Sequence, residues 1–415
     1  MNTLVIGNGM AAGRLVQDLV TRGVEGITVV GDEPYHAYNR LLLSGVLART
    51  QDPRDLEMRT PGWYARHGVT VVRGMRAVQL DTDRRAVGLA DGSVLAYEQL
   101  VLATGSRPNL PTLRGIVAAR GGLIDGVHAF RTLQDCEDIM SGARPGARAV
   151  VIGGGLLGVE AACGLEALGC DVEVVHQGPH LMEQQLDAGA AAVLQRTLDA
   201  RGVRTYLDAR AVAVLSTPDD RVRAVRLADH YELPCDLVVF ACGIRPATAL
   251  ATDGGLTVAA GVVVDDALAT SAAGVWAIGE CAEHRGVVHG WAQAAVDQAQ
   301  VLAAVLTGEQ ASYGGSRQVI RLRAAGVELA AMGDPTAPAD EHTEVLCLAD
   351  PIRRTYRKVV VRDGRLVGAL LVGDVTAAAL VTRAYDGLGP LPPDLRDLLF
   401  PAQPEWIARS EGRVA

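Results

Sequence analysis

Glycines at fixed spacing after apolar runs carry the first chemical signal in this chain. Val150-Val151-Ile152 leads into Gly153-Gly154-Gly155-Leu156-Leu157-Gly158, a G-x-G-x-x-G pattern, and an Ala-rich helical stretch follows to Gly169. Such a segment builds a phosphate cradle. Gly153 makes the tight turn, Gly155 lets the backbone approach a pyrophosphate, and Gly158 lets helix and strand pack closely. The N–H groups that open the helix, at Leu156 and Leu157, face the phosphates. The pattern also stands at the start of the chain, Leu4-Val5-Ile6-Gly7-Asn8-Gly9-Met10-Ala11-Ala12, with Ala12 in the third-glycine place. Gly7, Gly9, Ala11 and Ala12 are its candidate contacts. One such match is weak evidence, but two imply two dinucleotides and electron traffic between them.

An acidic side chain beyond the second strand of such a unit accepts hydrogen bonds from an adenosine ribose. Asp32 and Glu33 stand there after the first fingerprint, Asp32 the better placed, and the competing reading is a solvated turn acid. After the second fingerprint His176-Gln177-Gly178 occupies the position, with neither an acid for NAD nor an arginine for NADP. His176 is a cofactor-binding candidate, and the choice between NADH and NADPH stays open.

Alternation and turn residues place the elements that hold these groups. Strands are expected at 3–7, 27–30, 172–175 and 237–241, helices at Met10 to about Thr21 and after Gly155, and further strands within 69–80 and 84–95. Val78, in the first of these stretches, is counted with the cofactor-binding residues. Strands are also expected at 319–323, 344–349, 356–362 and from 366, with Asp363-Gly364 as a hairpin turn.

At 415 residues the prior is two or three domains. Apolar residues at 49% and charged residues at 21% fit a globular chain, and a net charge of −9 argues against bulk nucleic-acid binding. The seven cysteines contain no C-x-x-C pair and match no zinc or iron–sulfur spacing, so no metal site is expected. No apolar run spans a membrane, and the first strand leaves no room for a signal peptide, so a cytoplasmic protein is expected.

From Pro34 onward the sequence resembles the pyridine-nucleotide–disulfide oxidoreductase superfamily. Tyr38-Asn39-Arg40-Leu41-Leu42-Leu43-Ser44 matches a segment that lies along the flavin in the ferredoxin-reductase and nitrite-reductase branches, which implies FAD contacts for Arg40 and Ser44. Gly45 stands where ferredoxin reductases usually carry Lys. The disulfide-reducing branches keep a redox cysteine in this early region, and here none precedes Cys136. Ala103-Thr104-Gly105-Ser106-Arg107-Pro108 is similar to the A-T-G-x-x-P exit from the FAD domain, and Cys242-Gly243-Ile244-Arg245-Pro246 to the return, which implicates Thr104, Gly105 and Gly243. Arg131 in Phe130-Arg131-Thr132-Leu133 matches a family arginine that contacts FAD. Glu160 matches a glutamate near the nicotinamide and is the catalytic candidate, against a generic helix Glu. Gly279-Glu280-Cys281-Ala282-Glu283-His284-Arg285-Gly286 resembles the FAD domain of NADH-dependent nitrite reductases and the electron-transfer subunits of assimilatory nitrate reductases. It carries Gly279 and Glu280 over as flavin-site residues, with Cys281 a tolerated neighbour. The helix from Trp291 is expected to direct its N-terminus at the flavin and favour its anionic reduced form.

The resemblance implies an α/β fold with two Rossmann-type domains, the second inserted in the first, and a C-terminal α+β domain. The expected boundaries are 1–115 with 245–315 for FAD, 116–244 for NAD(P)H, 316–400 for the third domain and 401–415 as a tail. It implies an FAD-dependent NAD(P)H oxidoreductase that passes electrons to an external acceptor, an iron–sulfur or nitrite/nitrate reductase component. A flavin reductase or oxidase acting on a small molecule or O₂, a ferredoxin reductase, and a non-enzymatic NADH sensor are the alternatives. The run Arg353-Arg354-Thr355-Tyr356-Arg357-Lys358 is either a docking patch for an acidic iron–sulfur partner or a set of solvated charges guarding a strand edge.

Overall fold

The computed structural model describes residues 2–118, 121–324, 326–388 and 390–400. The expected tail, 401–415, lies outside the described residues. The chain divides into two compact units, one built from 1–112, 126–143 and 239–316, the other from 113–125, 144–238 and the chain from Arg317 onward.

The first unit is organised by a five-stranded sheet in the order Val275–Ala277, Gln99–Leu102, Thr3–Ile6, Ile27–Val30 and Thr70–Val72. All its pairs are parallel. The central strand Thr3–Ile6 is buried along its whole length, which is why it shows no alternation. Helix Met10–Thr21 begins with the small residues Ala11, Ala12 and Gly13, all buried. A Cβ on Gly13 would stand 2.9 Å from that of Ala37, so glycine lets this helix lie close to its neighbour. Leu15 and Leu19 share one core with Ala295, Ala299 and Leu302 of helix Ala292–Leu306. The stretches 69–80 and 84–95 split as physics requires: Thr70–Val72 joins the parallel sheet, and Ala77–Asp81, Ala86–Leu89 and Val94–Ala96 form an antiparallel meander.

The second unit carries its own parallel strands. Arg148–Ile152 pairs with Asp171–Val175, which pairs with Arg204–Tyr206. Helices Leu156–Ala167 and Ala188–Asp199 accompany them, with a meander of Ala211–Ser216, Val222–Leu227 and Glu232–Pro234. The C-terminal part is a five-stranded antiparallel sheet in the order Val319–Ala324, Val327–Gly333, Arg365–Val372, Thr355–Arg362 and Thr343–Asp350, with helix Ala378–Tyr385 in its core. Asp363 and Gly364 have φ of 48° and 71°, the two positive angles of a type I′ hairpin turn.

This sheet corrects the edge-strand expectation for the basic run and leaves Arg353 and Arg354 exposed beside it. Thr355–Arg362 lies between two strands and is not an edge. The charges within the strand, Arg357 and Lys358, are engaged. The Tyr356 hydroxyl donates to Asp187 Oδ2 at 2.8 Å, and Lys358 Nζ donates to the same oxygen at 2.9 Å. Arg357 pairs with the Asp374 carboxylate and donates to the Leu399 carbonyl at 2.7 Å. Arg353 reaches Asp350 at 3.3 Å. Asp187 also caps helix Ala188–Asp199 by accepting from the Ala190 N–H, so Tyr356 and Lys358 tie the C-terminal sheet to that helix. Among the described residues no helix is long and apolar enough to cross a membrane.

Candidate functional site

The first cradle is built by backbone geometry. Gly7 sits at φ 110°, where a Cβ would stand 2.0 Å from the Ala103 carbonyl oxygen. Only glycine makes this turn. Gly9 has an ordinary φ of −96° and caps helix Met10–Thr21, and a Cβ there would meet nothing within 4 Å. The helix carries neither a side-chain cap nor an acid in its first turn, so its opening N–H groups are left for an anion. Gly279 lies against this turn, its would-be Cβ 3.0 Å from that of Ala11, and its N–H donates to the buried Gln298 Oε1 at 2.7 Å.

Polar side chains from distant parts of the sequence converge in the same unit. Arg131 pairs with Glu280. Ser106 Oγ donates to Glu280 Oε2 at 2.7 Å and accepts from Arg131 NH2 at 2.7 Å. Among the described residues, Arg131 Nε is buried without a hydrogen-bond partner. Glu33 holds Arg40 in an ion pair and accepts from the Tyr38 hydroxyl at 2.7 Å. Burial opposes the charge on Arg40, but Tyr38, Glu33 and Glu280 outweigh it and raise its pKa. Asp32 is solvent-facing, 3.6 Å from Arg76. The Thr104 hydroxyl donates to the Ala247 carbonyl at 2.7 Å, and the Asn109 N–H to that of Gly243 at 2.9 Å. Ser106–Pro108 pairs antiparallel with Ile244–Pro246, so exit and return strands meet. Ser44 is buried, Val78 is exposed on its meander, and Trp291 caps helix Ala292–Leu306 with its indole Nε1 buried and unpartnered among the described residues. His289 stands edge-on to Trp291 at 4.9 Å, its Nδ1 likewise unpartnered.

The second cradle repeats the first. Gly153 is at φ 116° and its N–H donates to Val175 O at 2.9 Å. Gly155 caps helix Leu156–Ala167 at φ −76°, again without a side-chain cap or first-turn acid, and a Cβ there would meet nothing within 4 Å. Gly158 is buried in the helix. The structure thus brings Gly7, Gly9, Ala11, Gly279, Ser106, Arg131 and Glu280 into one unit, and Gly153–Gly158, Glu160 and His176 into the other. Open space over both cradles and orphaned donors at Arg131, Trp291 and His176 suit a dinucleotide in each. Ser106, Tyr38 and Gln298 were missed in the sequence. The partners of Ser106 and Tyr38 are remote along the chain, but a lone Gln on the buried face of an Ala-rich helix was a usable signal for Gln298.

Burial pushes the Glu160 carboxyl up to about 8. A carboxyl whose folded value lies above its unfolded one withholds stability as pH rises: the unfolded chain releases its proton near pH ~4.3, the folded chain only near 8. The Glu160→Gln holoprotein is therefore expected to match the parent in thermal midpoint near pH ~4.5 and to exceed it by about 2 °C or more at pH ~8.5. Parallel pH profiles would remove the assigned protonation.

All seven cysteines stand as thiols. Burial pushes Cys136, Cys163 and Cys235 up to about 12 and Cys242 up to about 11, and raises buried Cys281, whose Sγ donates to Ile278 O at 3.3 Å. Among the described residues no group of His, Cys, Asp and Glu is placed to hold a metal ion.

Two Rossmann-type cradles with a C-terminal antiparallel domain define a two-dinucleotide flavoprotein oxidoreductase. The family comparisons agree. Residues 1–300 match the pyridine nucleotide-disulphide oxidoreductase model and 319–386 the rubredoxin NAD+ reductase C-terminal domain. The chain belongs to the pyridine nucleotide-disulphide oxidoreductase family, enzymes that use FAD and NAD(P)H. It is 37% identical to a nitrite reductase [NAD(P)H] of Bacillus subtilis (strain 168), over 89% of this chain and 45% of the relative. It is 36% identical to the assimilatory nitrate reductase electron transfer subunit of the same organism, over 89% and 47%. The chain thus spans about half the length of these relatives. A crystal structure of the covalent putidaredoxin reductase–putidaredoxin complex superposes with a TM-score of 0.85 at 25% identity, covering 99% of both chains.

Proposed function

We propose that this chain is the FAD-containing, NAD(P)H-oxidising electron-transfer component of a nitrite or nitrate reductase system, working in the cytoplasm and handing electrons to an iron–sulfur or reductase partner. FAD, when bound, supplies the exchange between a hydride donor and one-electron acceptors. Residues 1–115 and 245–315 serve it together with 126–143 and 239–244, which share their compact unit, the rest of 116–244 serves NAD(P)H, and 316–400 form the third domain. Gly9, Ala11 and Ala12 receive the FAD pyrophosphate. Asp32, solvent-facing beyond the second strand, accepts from the FAD ribose, with Glu33, held by Arg40 and Tyr38, beside it. Arg131, Ser106 and Glu280 form a closed polar set that fixes charge beside the flavin, and Ser44, Val78, Thr104, Gly105, Gly243 and Trp291 complete that site. Gly155, Leu156 and Leu157 receive the nicotinamide pyrophosphate, with Glu160 protonated near the reacting ring.

The observation that carries this reading is the pair of open glycine turns, each at a helix N-terminus with no side-chain cap and no first-turn acid. A thiolate relay needs a lowered pKa, and burial raises the buried cysteines, which leaves flavin-to-acceptor transfer as the simpler route. The test is anaerobic stopped-flow. NADH-reduced holoprotein is expected to be reoxidised by a [2Fe–2S] ferredoxin at least about tenfold faster than by air-saturated buffer. Equal rates would favour direct reduction of O₂ and overturn the proposal.

A further inference from the structure

The second cradle lacks an acid at the ribose position, but the fold brings one there from elsewhere. We propose that Glu183, held against His176 by the absence of a side chain at Gly178, makes this site select the nicotinamide dinucleotide with a free 2′-hydroxyl, NADH, over the 2′-phosphorylated form. The proposal rests on the reading of Gly153–Gly158 as a nicotinamide dinucleotide cradle.

His176 follows strand Asp171–Val175 and is 9% exposed. Its Nδ1 accepts the Gly154 N–H at 3.2 Å. A ring nitrogen that accepts carries no proton, so the ring proton sits on Nε2. That Nε2–H is buried and has no hydrogen-bond partner among the described residues. The nearby carboxylate is Glu183, with Oε2 at 4.0 Å. The gap is too long for a direct hydrogen bond.

Packing shows that this arrangement is built. A Cβ on Gly154 would stand 2.8 Å from His176 Cγ and 2.7 Å from Leu181 Cδ2. The variable position of the fingerprint is therefore glycine because the imidazole lies on it. A Cβ on Gly178 would stand 1.9 Å from Glu183 Oε2 and 2.9 Å from His176 Nε2. Gly178 is thus the space through which the carboxylate reaches the ring. The segment that delivers Glu183 is pinned to the phosphate turn: the Met182 N–H donates to Gly154 O at 2.8 Å, and Met182 is held at φ 51°, a conformation a non-glycine residue adopts only when its surroundings impose it.

The chemistry follows from this pair. The Nε2–H offers one donor and a carboxylate offers acceptors, a set that matches a ribose hydroxyl, itself both donor and acceptor. A 2′-phosphate would bring a second anion beside Glu183, and discrimination then comes from repulsion as well as attraction. The segment 176–187, His-Gln-Gly-Pro-His-Leu-Met-Glu-Gln-Gln-Leu-Asp, contains no Lys or Arg to offset it.

The test is calorimetric titration of the FAD-loaded protein with ADP-ribose and with 2′-phospho-ADP-ribose, which carry the discriminating group and no redox chemistry. The parent is expected to bind ADP-ribose at least about tenfold tighter. Glu183→Gln, at a side chain 39% exposed, leaves the fold intact and is expected to narrow the ratio to about threefold or less. Gly178→Ala is expected to narrow it too, by displacing the carboxylate without removing its charge. A parent that binds the phosphorylated ligand as tightly, or a ratio unmoved by Glu183→Gln, overturns the proposal while leaving the dinucleotide site standing. No binding of either ligand overturns both.

Discussion

A Gly155→Val protein folds, stays yellow with FAD, and is reduced by NAD(P)H at least about 100-fold more slowly than the parent, a barrier increase of about 2.7 kcal/mol. The expectation rests on what a side chain at residue 155 would meet. Within the protein a Cβ there finds nothing within 4 Å. The backbone φ of −76° is open to any residue, so the fold loses only about 1 kcal/mol for valine at a helix cap. The cleared volume lies over the opening N–H groups of helix Leu156–Ala167, where a pyrophosphate approaches the backbone. Stopped-flow reduction, with flavin absorbance to show that FAD is retained, makes the measurement. A variant reduced at the parent's rate would show that the nicotinamide nucleotide binds elsewhere.

Gly7→Ala is expected to be ruinous for a different reason. Here the Cβ would lie 2.0 Å from the Ala103 carbonyl oxygen and 2.4 Å from its carbon. Those are backbone atoms of a chain segment hydrogen-bonded to the first strand, Ala103 N donating to Ile6 O at 2.7 Å, so they cannot move aside. The φ of 110° adds backbone strain that L-residues avoid. The expected loss is about 4 kcal/mol or more, read as a collapse of the urea midpoint of the apoprotein. Gly9→Ala, two residues on, should leave that midpoint unchanged and weaken FAD binding instead. Equal midpoints for Gly7→Ala and the parent would contradict the turn geometry. The pair separates the glycine that shapes the cradle from the glycine that clears it.

What was legible in the sequence is what short-range physics decides. The glycine turns, the strands Thr3–Ile6 and Ile27–Val30, helix Met10–Thr21 and the Asp363-Gly364 hairpin depend on backbone sterics and apolar periodicity within a few residues. Strand Val327–Gly333 went unread because, nearly continuously buried, it lacks the alternation that marks a half-exposed strand. The tertiary structure decided the rest, because charge and hydrogen-bond partners are chosen in space. Arg131, Ser106 and Glu280 stand far apart in the chain and close on one another. In the basic run at 353–358, folding set Asp374 against Arg357 and Asp187 against Lys358 and left Arg353 and Arg354 exposed. His176 looked like a missing acid, and only the loop carrying Glu183 supplies one. A sequence shows which side chains carry charge, but whether that charge faces solvent, a ligand or a counter-ion depends on elements that meet only once the hydrophobic cores have formed.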